Sequence, residues 1–196
     1  PGRALGEFAI RSGAFYASTD ELHITITGKA GHAAQPHQTV DATVVAAHVV
    51  TALQTIVSRQ IDPVEQVVVS ITSFETSTTA YNVVVEEVVL KGTLRTMTEE
   101  NRDFAKRRIV DIAEGISASL GAKAEAQIVE GYPVMVNSDR HAEFAAQAAM
   151  KVAGVCETAP IYLWGEDFGF MLNARPGAYI HLGIGDNAPL HHPRYN

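Results

Sequence analysis

The feature that most constrains this sequence is a regular alternation of strand and helix periodicities in its first two thirds. Apolar residues recur at every second position in the stretch 20–30, which predicts a half-buried strand. In the stretch 45–56 they recur at intervals of three and four, which predicts one buried face of a helix. Segments rich in β-branched residues then predict a second and a third strand, at 67–73 and 83–96.

The same alternation continues after the third strand. Thr98 is expected to cap a second helix, because the acidic residues Glu99 and Glu100 favour the positive end of a helix dipole. Gly121 predicts the end of that helix, and residues 124–129 predict a fourth strand. The resulting order, β-α-β-β-α-β, is that of the ferredoxin-like fold, in which two helices cover one sheet face and the other face stays open.

The sequence on either side of this region predicts part of a second domain. An Ala-rich helix capped by Asn137 or Ser138 is expected to run to about Val152, followed by a short helix that includes 166–172 and an apolar strand within 178–183. Together with residues 1–16, these elements are too few for an independent hydrophobic core.

We therefore divide the chain into three segments. Residues 1–17 and 132–196 are expected to belong to an incomplete α/β domain, and residues 18–131 form the ferredoxin-like domain inserted between them. The predicted fold class is α+β.

Composition and charge exclude several classes of partner. The 196 residues carry a formal net charge of -7 and no basic stripe, so we expect no nucleic-acid partner. No apolar run approaches the roughly 18 residues of a membrane span, so no membrane partner is expected. The single cysteine, Cys156, excludes an internal disulfide and is expected to be a buried, inert thiol in a reducing, cytoplasmic compartment.

Three polar places can carry chemistry, although each has an ordinary structural explanation. A histidine in the glycine-containing loop 31–37 is more often a surface residue than a functional one. Asn82 and Arg95 would by default be a capping residue and a solvated charge, but together an amide and a guanidinium can bind a carboxylate. His191 and His192 are weak evidence for zinc, which needs three or four ligands.

Six short segments of the sequence match the motifs of one known family, in the same order along the chain. The longest is 28–41, and the others are 6–11, 52–59, 92–96, 165–168 and 190–195. In this order they resemble the M20 family of metal-dependent amidohydrolases and peptidases, in particular its N-acyl-amino-acid and hippurate hydrolases. The resemblance covers essentially the whole chain and identifies the inserted domain as the lid, or dimerisation, domain of a zinc-peptidase-like catalytic domain.

The resemblance also implies a mechanism. Enzymes of this family use two divalent metal ions, usually zinc, with manganese or cobalt as alternatives, to activate the water that attacks an amide carbonyl. His191 matches the last metal ligand, while the other ligands and the general-base glutamate would lie before Pro1. His32 would stabilise the oxyanion in a neighbouring subunit, which implies a homodimer through the lid domain. Asn82 and Arg95 would hold the α-carboxylate of an N-acyl amino acid substrate.

The sequence departs from the family pattern at one of these positions. The family usually places Val-Ile-Pro after this asparagine, whereas Val83, Val84 and Val85 follow Asn82 here. The loop after Asn82 is therefore expected to differ. The segment that begins at Glu166 also matches the family near its site, and we expect a structural role there rather than metal ligation.

Two function classes stay open at this stage. The first is metal-dependent hydrolysis of the amide bond of N-acyl amino acids, such as hippurate, by the complete enzyme. The alternative is a non-catalytic ferredoxin-like module for dimerisation or for binding a small ligand, because a fold alone does not fix a function.

The chain as given is expected to be catalytically inactive, because the counterpart of one metal ligand cannot hold two ions. The measurement is an assay on hippurate and other N-acyl amino acids with added zinc, cobalt or manganese. Turnover above the blank that a chelator abolishes would contradict this expectation.

Overall fold

The computed structural model describes residues 3–185 and residue 193. The chain divides into two compact units, an inserted unit (Ser18–Tyr132) and a flanking unit (Pro1–Ala17 with Pro133–Asn196). In chain order the elements are β1 (Phe8–Ile10), β2 (Gly13–Tyr16), β3 (Asp20–Thr27), β4 (Gly31–His32), α1 (Ala42–Thr55), β5 (Val67–Thr76), β6 (Val83–Val84), β7 (Glu87–Thr96), α2 (Glu99–Ser119), β8 (Lys123–Glu130), β9 (Met135–Asn137), α3 (Asp139–Ala153), β10 (Cys156–Thr158), α4 (Phe168–Ala174) and β11 (His181–Leu182).

The inserted unit is built on a four-stranded antiparallel sheet in the order β5-β7-β3-β8. The register places Ile24 opposite Leu90, so that apolar residues of neighbouring strands share one face. The predicted ferredoxin-like arrangement is confirmed, because all four predicted strands lie in this one sheet. The chain is a mixed α+β protein.

The core of the inserted unit lies between this sheet and its two helices. Leu22, Ile24 and Ile26 alternate along β3 and are fully buried, which is the predicted half-buried pattern. Val49 and Leu53 of α1 are buried in the same cluster. On β7, Arg95 and its alternate neighbours lie on the opposite, open face of the sheet.

The helix ends follow the capping chemistry of the sequence. Thr98 caps α2 as predicted, because its hydroxyl accepts a hydrogen bond from the backbone N–H of Asn101. Gly121 follows α2 with a positive φ of 81°, a conformation that glycine adopts at low cost. Helix α1 begins earlier than its apolar pattern indicates, since the Asp41 carboxylate accepts from the N–H groups of Thr43 and Val44.

Helix α1 is followed directly by a further helical turn at Ile56–Gln60. By length and composition alone, the combined helical segment Ala42–Gln60 would also suit a membrane span, which the sequence analysis did not anticipate. Its apolar stripe, which includes Val45, Val49 and Leu53, is buried in the core of the inserted unit. The stripe therefore serves as the inner face of a core helix.

One buried ion pair links the sheet to α2. Arg102 donates to both carboxylate oxygens of Asp20, at 2.7 Å and 2.9 Å, and both side chains are almost completely buried. Asp20 also accepts a hydrogen bond from the backbone of Gly131 at 3.3 Å. Hydrogen bonding to Asp20 raises the pKa of the Arg102 guanidinium above its ordinary value. Bidentate pairs of this kind have little geometric freedom, so the pair fixes α2 against the start of β3.

The flanking unit contains two small sheets. β1 pairs with β10 in parallel and with β11 in antiparallel orientation, and β2 pairs with β9. The predicted helix after Ser138 is present as α3 and ends at Gly154. The apolar stretch 178–183 forms strand only at His181–Leu182, and the three- and four-residue strands β1, β2, β9 and β10 were not predicted because they are too short to show a periodicity.

An aromatic cluster fills the core of the flanking unit. Phe15 and Tyr16 pack against Tyr162 and Tyr179, with ring centroids 4.9–6.2 Å apart across the group. The hydroxyl of Tyr16 is hydrogen-bonded to the ring of His181. Burial raises the pKa of Tyr16 and lowers the pKa of His181, so both groups are held neutral.

The single cysteine lies in the same unit, on β10. Cys156 is half-buried rather than buried, because β10 pairs with its neighbour β1 along only three residues. Burial raises the pKa of its thiol, which agrees with the expected low reactivity.

Replacing Asp20 by Ala should lower the free energy of unfolding of the chain by about 3–5 kcal/mol, because Arg102 would stay buried without its bidentate partner. The matched control is Glu130→Ala, which removes an exposed ion pair with Lys106 and should cost less than about 1 kcal/mol. Urea unfolding measures both changes. Similar losses for the two variants would show that the buried pair has no special role.

Candidate functional site

The loop that carries His32 is joined to the loop that carries Asn82 by a small two-stranded sheet. β4 and β6 pair in antiparallel orientation, with His32 opposite Val83. The backbone N–H of Ala33 also donates to the carbonyl oxygen of Asn82 at 3.0 Å. The prediction of a single strand over 83–96 was therefore wrong at its start, because β6 leaves the main sheet to pair with β4.

Backbone hydrogen bonds fix the base of the His32 loop. Lys29 and Val40 exchange two hydrogen bonds of 2.9 Å and 3.0 Å, which closes the loop on itself. The N–H of Gly28 donates to the carbonyl of Glu86 at 2.7 Å and so ties the loop to the segment before β7. A side chain at Gly28 would overlap the carbonyl oxygen of Val40, so the close approach requires glycine.

The ring of His32 is exposed and has one nitrogen already engaged. The backbone N–H of Ala34 donates to its Nδ1 at 3.0 Å, and Nδ1 must therefore be unprotonated. In the neutral ring the proton then resides on Nε2, the nitrogen farther from the backbone. His32 is thus prepared to donate a hydrogen bond from Nε2 to an acceptor outside its own loop.

The turn that precedes β6 holds the backbone of Asn82 against Ala33 of the His32 loop. The N–H of Val83 donates to the carbonyl of Ala80 at 3.4 Å and closes the turn. Asn82 is exposed, and its side-chain amide makes no hydrogen bond to the residues that the structure describes. The amide of Asn82 and the Nε2 of His32 are therefore two exposed groups, on two joined loops, that can each donate to an anionic or carbonyl oxygen.

Arg95 lies in the four-stranded sheet, at the end of β7 that is farther from the β4–β6 pair. β7 runs from Glu87, next to the β4–β6 pair, to Arg95, which is paired with Val68 of β5. At about 3.3 Å per residue, roughly 26 Å of strand separates Glu87 from Arg95. The structure joins the loops that carry His32 and Asn82, but it does not bring Arg95 to these loops within one inserted unit.

The expected metal ligand His191 lies outside the described residues. Within residues 3–185 and 193, no three His, Cys, Asp or Glu side chains come close enough to hold a metal ion. The described part of the chain therefore does not fit a dinuclear metal site by itself.

The acidic segment of the flanking unit has structural partners. One carboxylate oxygen of Glu166 accepts from the hydroxyl of Tyr179 at 3.2 Å, and the other accepts from the N–H of Phe168 at 3.3 Å. Asp167 precedes α4 without a capping hydrogen bond from its side chain. These contacts agree with the structural role expected for this segment.

Comparisons with known sequences bear on this arrangement. The sequence profile of the peptidase dimerisation domain of the M20 type matches residues 19–119. The chain is 38% identical over 197 residues to an N-acetyldiaminopimelate deacetylase of Enterococcus faecalis, which covers 100% of this chain and 52% of the relative. The N-acetyldiaminopimelate deacetylase of Streptococcus sanguinis is 37% identical, over 99% of this chain and 52% of the relative. The chain thus spans about half the length of the curated relatives it matches.

Solved structures give the same result. A candidate aminohydrolase from methicillin-resistant Staphylococcus aureus superposes with a TM-score of 0.87 and 30% identity, over 98% of this chain and 51% of the other. The Bacillus subtilis YXEP protein, described as a dinuclear metal binding peptidase of the M20 family, superposes with a TM-score of 0.81 and 27% identity. This second alignment covers 100% of this chain and 49% of the other.

The neutral ring of His32 should populate the Nε2–H tautomer, because the N–H of Ala34 occupies Nδ1. Long-range ¹H–¹⁵N correlation spectra of histidine-labelled protein report the tautomer directly, and His32→Gln assigns the signal. The control Ala34→Pro removes the donor and should relax this preference. Finding the proton on Nδ1 of His32 in the unmodified protein would contradict the geometry.

Proposed function

Because this chain belongs to the M20 peptidase family, we propose that the whole protein hydrolyses the amide bond of N-acyl amino acids. The observation that carries the proposal is the backbone pairing that joins the His32 loop to the Asn82 turn, on which both side chains are exposed. The alternative of a free-standing dimerisation module has less support, because the similarity to N-acetyldiaminopimelate deacetylases extends over the flanking unit as well.

The identity of the acyl group on the substrate is a second part of the proposal, separate from the reaction type. The relatives in this comparison are named for removing an acetyl group, whereas the sequence motifs favour hippurate-like substrates. We therefore propose small N-acyl groups as the substrate class. A panel of N-acetyl and N-benzoyl amino acids assayed with the full-length protein tests it, and no turnover on any member would reject the proposal.

In this proposal His32 stabilises the transition state. Attack on an amide carbonyl places negative charge on its oxygen, and the Nε2–H of His32 is a neutral donor that can meet that charge. A preorganised oxyanion donor contributes about 3–4 kcal/mol to such a step. The amide of Asn82 from one subunit and the guanidinium of Arg95 from the other hold the α-carboxylate of the substrate.

The positions of His32 and Arg95 near opposite ends of β7 support a site that is shared between two subunits. An N-acyl amino acid is much shorter than the roughly 26 Å of strand between the two ends of β7, so one inserted unit cannot offer both residues to one substrate molecule. Two copies related by a two-fold axis can, because each site then receives His32 from one subunit and Arg95 from the other. We therefore propose a homodimer through the inserted unit.

The outer strand β5 is the edge best suited to this contact. Its ten residues include no Lys, Arg or Pro, and its one charged residue, Glu75, is paired with Lys91. The opposite edge, β8, carries Lys123, Glu125 and Glu130, and charged side chains of this kind discourage edge-to-edge pairing. The proposed dimer pairs β5 with a second copy of itself.

We also propose that the whole protein binds two divalent metal ions. The support is the dinuclear metal site for which the Bacillus subtilis relative is described, together with His191 as the expected ligand from this chain. Divalent ions bound in such a site acidify a water molecule for attack on a carbonyl. Zinc, manganese and cobalt are the candidates, and metal analysis of the full-length protein distinguishes them. The cytoplasmic location stays a prediction.

A single lysine on the β5 edge should weaken the dimer. Thr72→Lys places a charge on the exposed part of β5, and Gln127→Lys places the same charge on the exposed part of β8 as a matched control. Sedimentation velocity of the full-length protein should show a dissociation constant raised at least about tenfold for Thr72→Lys and little changed for the control. The opposite pattern would assign the contact to β8.

His32→Ala in the full-length protein should lower kcat by about 100-fold or more and leave the metal content unchanged, because the lost group is an oxyanion donor. His37→Ala, in the same exposed loop, is the control and should stay close to the unmodified protein. Mixing His32→Ala with His191→Ala should restore partial activity, since one site of each mixed dimer has both intact halves. No recovery, although the subunits exchange, would mean that His32 does not act on the partner's site.

A further inference from the structure

In the turn that carries Asn82, the structure exposes an aromatic side chain to which the sequence analysis assigned no role. Tyr81 has a relative exposure of 105%, so its ring is as solvated as in an extended peptide. An aromatic ring of this kind offers 150–250 Å² of contact area in general, at the entropic cost of only two side-chain torsions. A fully solvated ring in the turn that carries Asn82 is therefore available to contact a ligand.

The backbone around Tyr81 is held by hydrogen bonds rather than free. Tyr81 and Asn82 are the two central residues of the turn that Val83 closes onto Ala80. The hydroxyl of Thr78 accepts from the N–H of Ala80 at 3.2 Å. Because this turn is also bonded to the His32 loop through Ala33 and Asn82, the backbone of Tyr81 has a defined place relative to both loops.

We propose that Tyr81 is a specificity-determining residue that contacts the amino-acid side chain of the substrate. The inference rests on the proposed function, in which Asn82 holds the α-carboxylate. The side chain of an amino acid leaves the same carbon atom as that carboxylate, so the residue adjacent to Asn82 is placed to meet it. The hydrophobic ring face covers a methylene chain, and the phenolic hydroxyl hydrogen-bonds to a polar group at the end of that chain.

The substrate class follows from this chemistry. A side chain with several methylene groups and a polar end uses both parts of the tyrosine, whereas a methyl side chain reaches neither. Tyr81 therefore favours N-acyl amino acids with long, polar-ended side chains over those with short ones.

The test compares kcat/KM of the full-length protein for Nα-acetyl-lysine, N-acetyl-norleucine and N-acetyl-alanine. Tyr81→Ala should lower the value for the two long substrates by about tenfold or more and leave N-acetyl-alanine within about twofold. Tyr81→Phe should keep the norleucine value and lose part of the lysine value. Val64→Ala, at an exposed site in another loop, is the matched control and should change none of them.

The outcomes separate this inference from the function on which it rests. No hydrolysis of any substrate by the unmodified protein would reject the proposed function. Hydrolysis that Tyr81→Ala leaves unchanged, or lowers equally for all three substrates, would overturn the role of Tyr81 and leave the function standing. Thermal unfolding of each variant confirms that the fold is retained.

Discussion

The antiparallel pairing of β3 with β7 is the interaction on which the rest of the inserted unit depends. Its register places Thr27 opposite Glu87 and Asp20 opposite Leu94. At the end where Thr27 lies opposite Glu87, the segment that follows β3 and the segment that precedes β7 extend beyond the sheet. These two segments pair with each other as β4 and β6. At the other end, Asp20 turns inward to its ion pair, while Arg95 lies on the open face. One register thus determines which polar residues meet and which stay apart.

In the proposed enzyme, the distance between the two ends of β7 means that two inserted units must contribute to each site. A site that contained His32, Asn82 and Arg95 from one copy would need a substrate as long as the strand. A two-fold dimer removes the difficulty, because the near end of one sheet and the far end of the other can face the same small molecule. In the proposed enzyme, dimerisation is then a condition for a complete site.

The sequence predicted those parts of the fold that have long, regular periodicities. The alternation of Leu22, Ile24 and Ile26 and the cap at Thr98 were sufficient for the sheet and for α2. The pairing of β4 with β6 was not predictable, because the β-branched residues from Val83 onward look like one continuous strand and only this pairing interrupts it. The connection between the His32 loop and the Asn82 turn depends on that pairing. The family resemblance supplied the roles of these residues, and the predicted strand over 83–96 agrees with the position of Arg95 far from Asn82.

The most direct test of this account is a subunit-mixing experiment on the full-length protein with His32→Ala and Arg95→Ala. Each variant alone should be nearly inactive. If each site takes these two residues from different subunits, every mixed dimer has one site with both residues intact, and random exchange should restore about one quarter of the activity. If one copy supplies both residues to the same site, each site of a mixed dimer lacks one of them. Activity that stays at the level of the separate variants, although exchange is demonstrated, would contradict the account.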